Sequence, residues 1–421
     1  MLVLRFLVAA AVLVAPVLAA GTIPKEEYRA RRDALRKALP DGVTVLFGRT
    51  GKEVAPFRTT FLQEPNFFYL TGWREPGAIL ILAAQEETLL LPARDPKAEV
   101  YTGRRVGPGD PDAAEITGFA SLLPVEHFET RLSKLLESQR KVYTLAGSPA
   151  EERLRAMLPL REIADAGEAI WKRRLKKSPR EVELIQQSVD ASIEGHLAAW
   201  KRIATGSYEY QAAAAMVGAW LGLGCERSAY PPIVASGPNA TILHYDANTR
   251  RMDSGDLLLI DAAAECSGYA ADITRTVPVN GRFTPRQREL YEIVLGAQKA
   301  AIAAVKPGAT LDKGTSNSVN DAAYDYINSH GKDRQGQPLG KYVLHTTSHH
   351  VGLDVHDGGK LFRHGPLEPG MVITVEPGIY LPDEGIGIRI EDTVLVTESG
   401  GKVLSSALPK EVDDIERTLA K

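Results

Sequence analysis

Two stretches in the C-terminal half place acidic residues inside strongly apolar runs, and this conflict constrains the fold more than any other feature of the chain. In the first, Leu257-Leu-Leu-Ile-Asp261 and Asp272-Ile-Thr-Arg275-Thr276 flank a turn signal at Cys266-Ser267-Gly268, so the pattern predicts a β-hairpin. Positions 261 and 272 are centred inside that turn, which predicts that the two carboxylates face one another directly across the strands. Opposed Cβ atoms stand about 5 Å apart, where like charges destabilise a sheet. A cation between them removes the conflict.

The second stretch repeats the arrangement. Met371-Val-Ile-Thr-Val-Glu376-Pro-Gly-Ile-Tyr380 returns as Gly387-Ile-Arg389-Ile-Glu391-Asp-Thr-Val around Pro382-Asp383-Glu384-Gly385, so Glu376 is expected opposite Glu391. Pro377 interrupts the ladder beside Glu376. Between the hairpins, His345-Thr-Thr-Ser-His349-His350-Val-Gly-Leu-Asp-Val-His356-Asp357 holds four of the nine histidines. Thr346, Thr347 and Val351 favour an extended chain, which puts His345 and His349 on one face and turns His350 away. His356 follows a bend at Gly352, from where it can return as a proton donor or oxyanion partner.

Four carboxylates (Asp261, Asp272, Glu376, Glu391) and one imidazole (His349) suit two divalent ions of the manganese, cobalt or zinc kind better than a structural zinc. Such a pair of ions activates water and polarises a carbonyl, so hydrolysis is the expected chemistry. Arg389 lies two residues from Glu391 on the same strand face, where a guanidinium can hold a carboxylate or contact substrate.

Taken in order, these segments resemble the five ligand motifs of the pita-bread metallopeptidases, and within that superfamily the Xaa-Pro aminopeptidases (aminopeptidase P). The resemblance implies an N-terminal α/β domain followed by a pita-bread catalytic domain. It also implies two ions, manganese being usual in the family and cobalt or zinc alternatives, with Asp261 bidentate to one, His349 bound to the other, and Asp272 and Glu391 bridging. His244, in Ile233-Val-Ala-Ser-Gly-Pro-Asn239-Ala-Thr-Ile-Leu-His244-Tyr, matches a histidine of the substrate pocket, His345 and His356 match two further active-site histidines, and Arg389 matches the arginine before the last ligand. Ala263 and Thr346 stand where the family usually has glycine. The expected activity is release of one residue from proline-containing peptides, Xaa-Pro-Yaa, by a homo-oligomer. Prolidase, restricted to Xaa-Pro, is the alternative with the same metal site. A non-catalytic pita-bread interaction domain or a metal-free creatinase-like relative fits less well, because all five ligand positions are filled. Methionine aminopeptidase lacks the N-terminal domain.

That domain is expected over residues 21–172, with the catalytic domain over 173–421. Tyr28 to Leu39 reads as an amphipathic helix, Gly42–Phe47 as a strand, and Ala78–Leu82 with Thr88–Leu91 as a hairpin. Gln63-Glu-Pro-Asn66-Phe-Phe-Tyr-Leu-Thr71 and Glu99-Val-Tyr101-Thr-Gly103-Arg104-Arg105 resemble signatures of the same family's N-terminal domain, with Tyr101 in place of the usual tryptophan. Aromatic runs such as Phe67-Phe68-Tyr69 are expected in the core. Ser178, Pro179 and Glu181 predict a capped helix to about Arg202, a second long helix spans roughly 285–305, and a short helix covers the tail from Pro409.

With 421 residues and 44% hydrophobic content, the chain is long enough for two packed domains. Its 50 basic and 53 acidic residues nearly balance, so no nucleic acid partner is expected. Arg5 followed by the apolar run Phe6 to Ala20 reads as a cleaved export signal over 1–20, too short for stable membrane insertion. The expected destination is periplasmic or secreted. Only Cys225 and Cys266 are present; an oxidising compartment permits a bridge, but two cysteines are no framework and free thiols are expected.

Overall fold

The computed structural model describes residues 22–53, 61–361 and 363–420. The expected export signal at 1–20 lies outside the described residues. Among those described, no helix is long and apolar enough to cross a membrane.

The N-terminal domain is built on a six-stranded mixed sheet in the order Leu122–Pro124, Glu86–Leu91, Ile79–Ala83, Gly42–Phe47, Lys141–Thr144, Glu162–Asp165. The central strand Gly42–Phe47 runs antiparallel to Ile79–Ala83 and parallel to Lys141–Thr144. Alternation along the strands divides the core. Val43, Val45, Ile79 and Ile81 pack with Phe128 and Leu132 on one face. Leu46, Leu80 and Leu82 point the other way and join Phe67 and Leu70 in a core continuous with the C-terminal domain. The run Phe67-Phe68-Tyr69 is buried, as expected for core aromatics, in the helix Pro65–Thr71.

Helix Gly167–Leu175 spans the expected 172/173 boundary. Ser178 then caps the helix Pro179–Trp200, with Glu181 closing the capping box. This helix packs on Glu209–Gly222, and Pro285–Ala304, capped by Thr284 and Gln287, packs in the same way on Val319–His330. In front of the helices lie the sheets Ile233–Ser236, Leu257–Asp261, Thr274–Pro278 and Val372–Val375, Asp392–Thr397, Gly400–Val403, together with the hairpin Gly378–Leu381, Ile386–Arg389. The tail helix begins at Val412, three residues after the expected start at Pro409, with Glu411 in the N-cap position.

The expectation of free thiols is wrong: Cys225 and Cys266 are disulfide-bonded, with Cα atoms 4.3 Å apart. The cause is strand pairing. Ala264 and Glu265 pair antiparallel with Ser228 and Arg227, which brings Cys266 alongside the chain just before Arg227.

Candidate active site

The first hairpin closes later than its composition suggests. Asp261 pairs with Thr274 and Cys266 with Tyr269, so the two loop residues are Ser267 and Gly268. Both have positive φ, 56° and 82°, as a tight two-residue turn with right-handed strand twist requires. Asp272 is therefore diagonal to Asp261 rather than directly opposite it. The shift in partner is two residues, so both carboxylates stay on the same face of the sheet. One hydroxyl joins them: Tyr230 Oη lies 2.7 Å from Asp261 Oδ1 and 2.5 Å from Asp272 Oδ1. With a single proton, that hydroxyl donates to one carboxylate at a time.

The second hairpin keeps the expected register through its break. Val375 pairs with Asp392 and Gly378 with Arg389, which leaves Glu376 and Pro377 facing Glu391 and Ile390. The histidine segment lies against this hairpin: Thr374 N donates to His349 O, Glu376 N donates to Thr347 O, and His350 bridges Ile373. His349 Nε2 is thereby held 3.4 Å from Asp272 Oδ2 and 3.5 Å from Glu376 Oε1. Donor atoms of Asp272, His349 and Glu391 all lie within 4.8 Å of one another. Asp261 and Glu376 flank this trio.

Around the cluster, Thr274 Oγ1 donates to Glu391 Oε2 at 2.6 Å, and Arg389 donates through Nη2 to Asp261 and through Nη1 to the Tyr380 hydroxyl at 2.6 Å. That hydroxyl sits 2.7 Å from His345 Nε2, while His345 Nδ1 is 3.5 Å from Glu376 Oε2. His356 meets His349 edge to face, with ring centres 4.4 Å apart. Asp261, Asp272, His349, Glu376 and Glu391, with His244, His345, His356 and Arg389, all line one cavity of about 380 Å³. His350, expected to turn away, does not line it. Sequence reasoning missed Tyr230 and Tyr380. Tyr230 precedes Pro231-Pro232 in a segment with no strand or helix period, and Tyr380 reads as an ordinary buried strand residue.

Burial dominates the electrostatics. It raises Asp272 and Glu391 above the usual carboxylate range and pushes Glu376 up to about 7, with repulsion among the carboxylates adding to each. His349 is raised although burial opposes its charge, because Asp272 and Glu376 outweigh that penalty. Burial lowers His345 to about 4, with Arg389 adding to the effect. Burial in the cavity likewise lowers His356 to about 4, with repulsion from His349, Arg363 and His244 adding to the effect. Both rings are neutral at pH ~7 and able to accept a proton. Four carboxylates and one imidazole crowded into one largely buried cluster favour a bound cation. Oxygen-rich donors with one nitrogen fit divalent ions of the manganese, cobalt or zinc kind.

Residues 183–398 match metallopeptidase family M24, and residues 28–143 match the aminopeptidase P N-terminal domain. The Xaa-Pro aminopeptidase of Haemophilus influenzae is 35% identical, over 94% of this chain and 98% of its own. The Xaa-Pro aminopeptidase of Escherichia coli is 34% identical over 94% and 97%. Among solved structures, aminopeptidase PepP of Pseudomonas aeruginosa superposes with a TM-score of 0.85 at 33% identity, covering 94% of this chain and 98% of that one. Aminopeptidase P of Escherichia coli with the inhibitor Pro-Leu gives 0.84 at 32% identity, covering 95% and 99%. The chain therefore belongs to metallopeptidase family M24, among the Xaa-Pro aminopeptidases that carry the aminopeptidase P N-terminal domain.

Proposed function

We propose that this chain is an exported two-metal aminopeptidase that releases the first residue of peptides with proline second. The observation that carries the reading is the convergence of five candidate ligands, three histidines and Arg389 on one cavity. Asp261, Asp272, His349, Glu376 and Glu391 would hold two divalent ions, with manganese the first candidate and cobalt or zinc fitting the same donors. When bound, the ions supply an activated water and polarise the peptide carbonyl.

The chain's own groups do the rest. Arg389, fixed by Tyr380, orients Asp261. Tyr230 holds Asp261 and Asp272 at one separation through its shared hydroxyl. His345 is neutral and tied through Nε2 to Tyr380, so it accepts or donates a proton near the Glu376 side of the site. His356 meets His349 edge to face and lines the cavity, where a neutral ring can hydrogen-bond the developing oxyanion. His244, exposed and lining the same cavity, would contact substrate. Release of a single residue requires that the free amine reach the acidic end of the cavity.

The prolidase alternative needs a cation to capture the proline carboxylate. Arg389 is engaged with Asp261, Thr274 and Tyr380, which disfavours that use of it. Arg363 also lines the cavity, so dipeptide and tripeptide are best compared directly. Xaa-Pro-Yaa should be cleaved with higher kcat/KM than the matching Xaa-Pro, and blocking the N-terminus should abolish cleavage. Dipeptide hydrolysis without tripeptide cleavage would favour prolidase. Export is supported by the apolar leader and by the Cys225–Cys266 bond, which suits an oxidising compartment. Cell fractionation tests it.

A further inference from the structure

The helix Gly167–Leu175, which joins the two domains, reaches toward the cavity through one buried cation. Arg174, in the last turn of helix Gly167–Leu175, is 2% exposed. A guanidinium so far from water is tolerated only with close, well-aligned acceptors. Its Nη1 donates to Asn66 Oδ1 at 2.8 Å, and its Nη2 to Asp354 Oδ2 at 2.6 Å and Asp357 Oδ1 at 2.5 Å. Asn66 is itself held by Glu64, which accepts its Nδ2 at 2.8 Å and caps the helix Pro65–Thr71. Lys177, equally buried, donates to the other oxygen of Asp357 at 3.0 Å.

Asp354 and Asp357 bracket the turn that carries His356. That turn is tied at both ends: Gly352 N donates to Asp354 O, Gly352 O accepts from Ala270 N, and Asp357 N donates to His350 O. It also closes tightly on the Asp357 carboxylate, since a Cβ at Gly352 would lie 2.0 Å from Asp357 Oδ2. None of Arg174, Lys177, Asp354 and Asp357 lines the cavity, whereas His356 does.

We propose that Arg174 is a positioning residue: by gripping Asp354 and Asp357 while held by Asn66 of the N-terminal domain, it fixes the turn that presents His356, so the contact between the domains sets the geometry of the cavity. This rests on the reading of His356 as an active-site group. Lysine at 174 keeps the charge but loses the planar fork that reaches Asn66 and both carboxylates, so it is expected to repair only part of the defect.

The test compares R174M, R174K, H356A and the R174M/H356A double variant, each loaded with Mn²⁺. The readouts are metal content, kcat and KM on Xaa-Pro-Yaa, and amide hydrogen exchange over 350–358. R174M is expected to bind metal as the wild type does, to lose about 10- to 100-fold in kcat with a smaller change in KM, and to exchange faster over 352–358. R174K should fall between R174M and wild type. In the H356A background, R174M should remove little further activity, because the two changes act through one ring. Wild-type kcat in R174M with H356A impaired would overturn this inference alone, as would fully multiplicative losses in the double variant. Wild-type turnover in H356A would overturn both this inference and the role given to His356. Should R174M fail to fold, R174K carries the same comparisons.

Discussion

Arg389 donates one hydrogen bond to Asp261 and another to Tyr380, so a single buried guanidinium aligns a candidate ligand and the phenol that meets His345. A planar fork fixes the angle between the two acceptors over their full span, whereas a compact ammonium on a flexible stem does not. R389K should therefore weaken metal binding about 10- to 100-fold, the usual effect of removing a group that orients a ligand. Competition against a chelator of known affinity measures this. Wild-type affinity in R389K would remove Arg389 from the metal-orienting role.

His345 and His356 sit beside the candidate ligands without belonging to them. H345A and H356A should keep their metal and lose on the order of 10² to 10⁴ in kcat, as expected for groups acting in proton transfer or oxyanion stabilisation. Metal analysis and kcat on the same samples decide it. Metal-replete variants with wild-type turnover would make both histidines structural.

The chain advertises most of this site because burying carboxylates in apolar strands is costly, and a cost of that kind is visible in sequence. The register of Glu376 with Glu391 is legible because Pro382 to Gly385 centre the turn unambiguously, and the ladder resumes in step on both sides of Pro377. Around Asp261 the expected register is displaced because Ser267 adopts a left-handed conformation more typical of asparagine or glycine, which moves the turn toward Tyr269. The acidic face survives because strands alternate with a period of two. Tyr230 and Tyr380 are illegible for a different reason: their roles depend on hydroxyl positions fixed by tertiary packing. The Cys225–Cys266 bond likewise depends on the pairing of residues 264–265 with 227–228, which no local pattern announces.

That bond spans a sequence separation of 41. Loop-closure entropy for a ring of that size stabilises the fold by about 4 kcal/mol. Reduction, or the C225S/C266S variant, should lower the unfolding free energy by an amount of that order in denaturant titrations. Superimposable curves for oxidised and reduced protein would contradict it.

His196, fully buried on the helix Pro179–Trp200, lies 3.0 Å from Ala262 O through Nε2, and burial, with Arg275 nearby, lowers it to about 4. Above the ordinary histidine value near 6.5 the ring is neutral in folded and unfolded chains alike, so its contribution is intact. As pH falls from there to about 4, only the unfolded chain takes up the proton, and about 3 kcal/mol is lost. The stability difference between wild type and H196Q should therefore shift against the wild type by about 2 kcal/mol between pH ~7.5 and pH ~5. Parallel profiles would show that His196 is not held neutral.

The most direct test of the account is a titration of Mn²⁺ into chelator-stripped protein, with bound metal and amino acid released from an Xaa-Pro-Yaa peptide measured on the same samples. The account predicts no release from stripped protein, and release that rises with loading to a plateau near two ions per chain, as a two-ion site requires. Full activity in stripped protein, or no release at any loading, would contradict it.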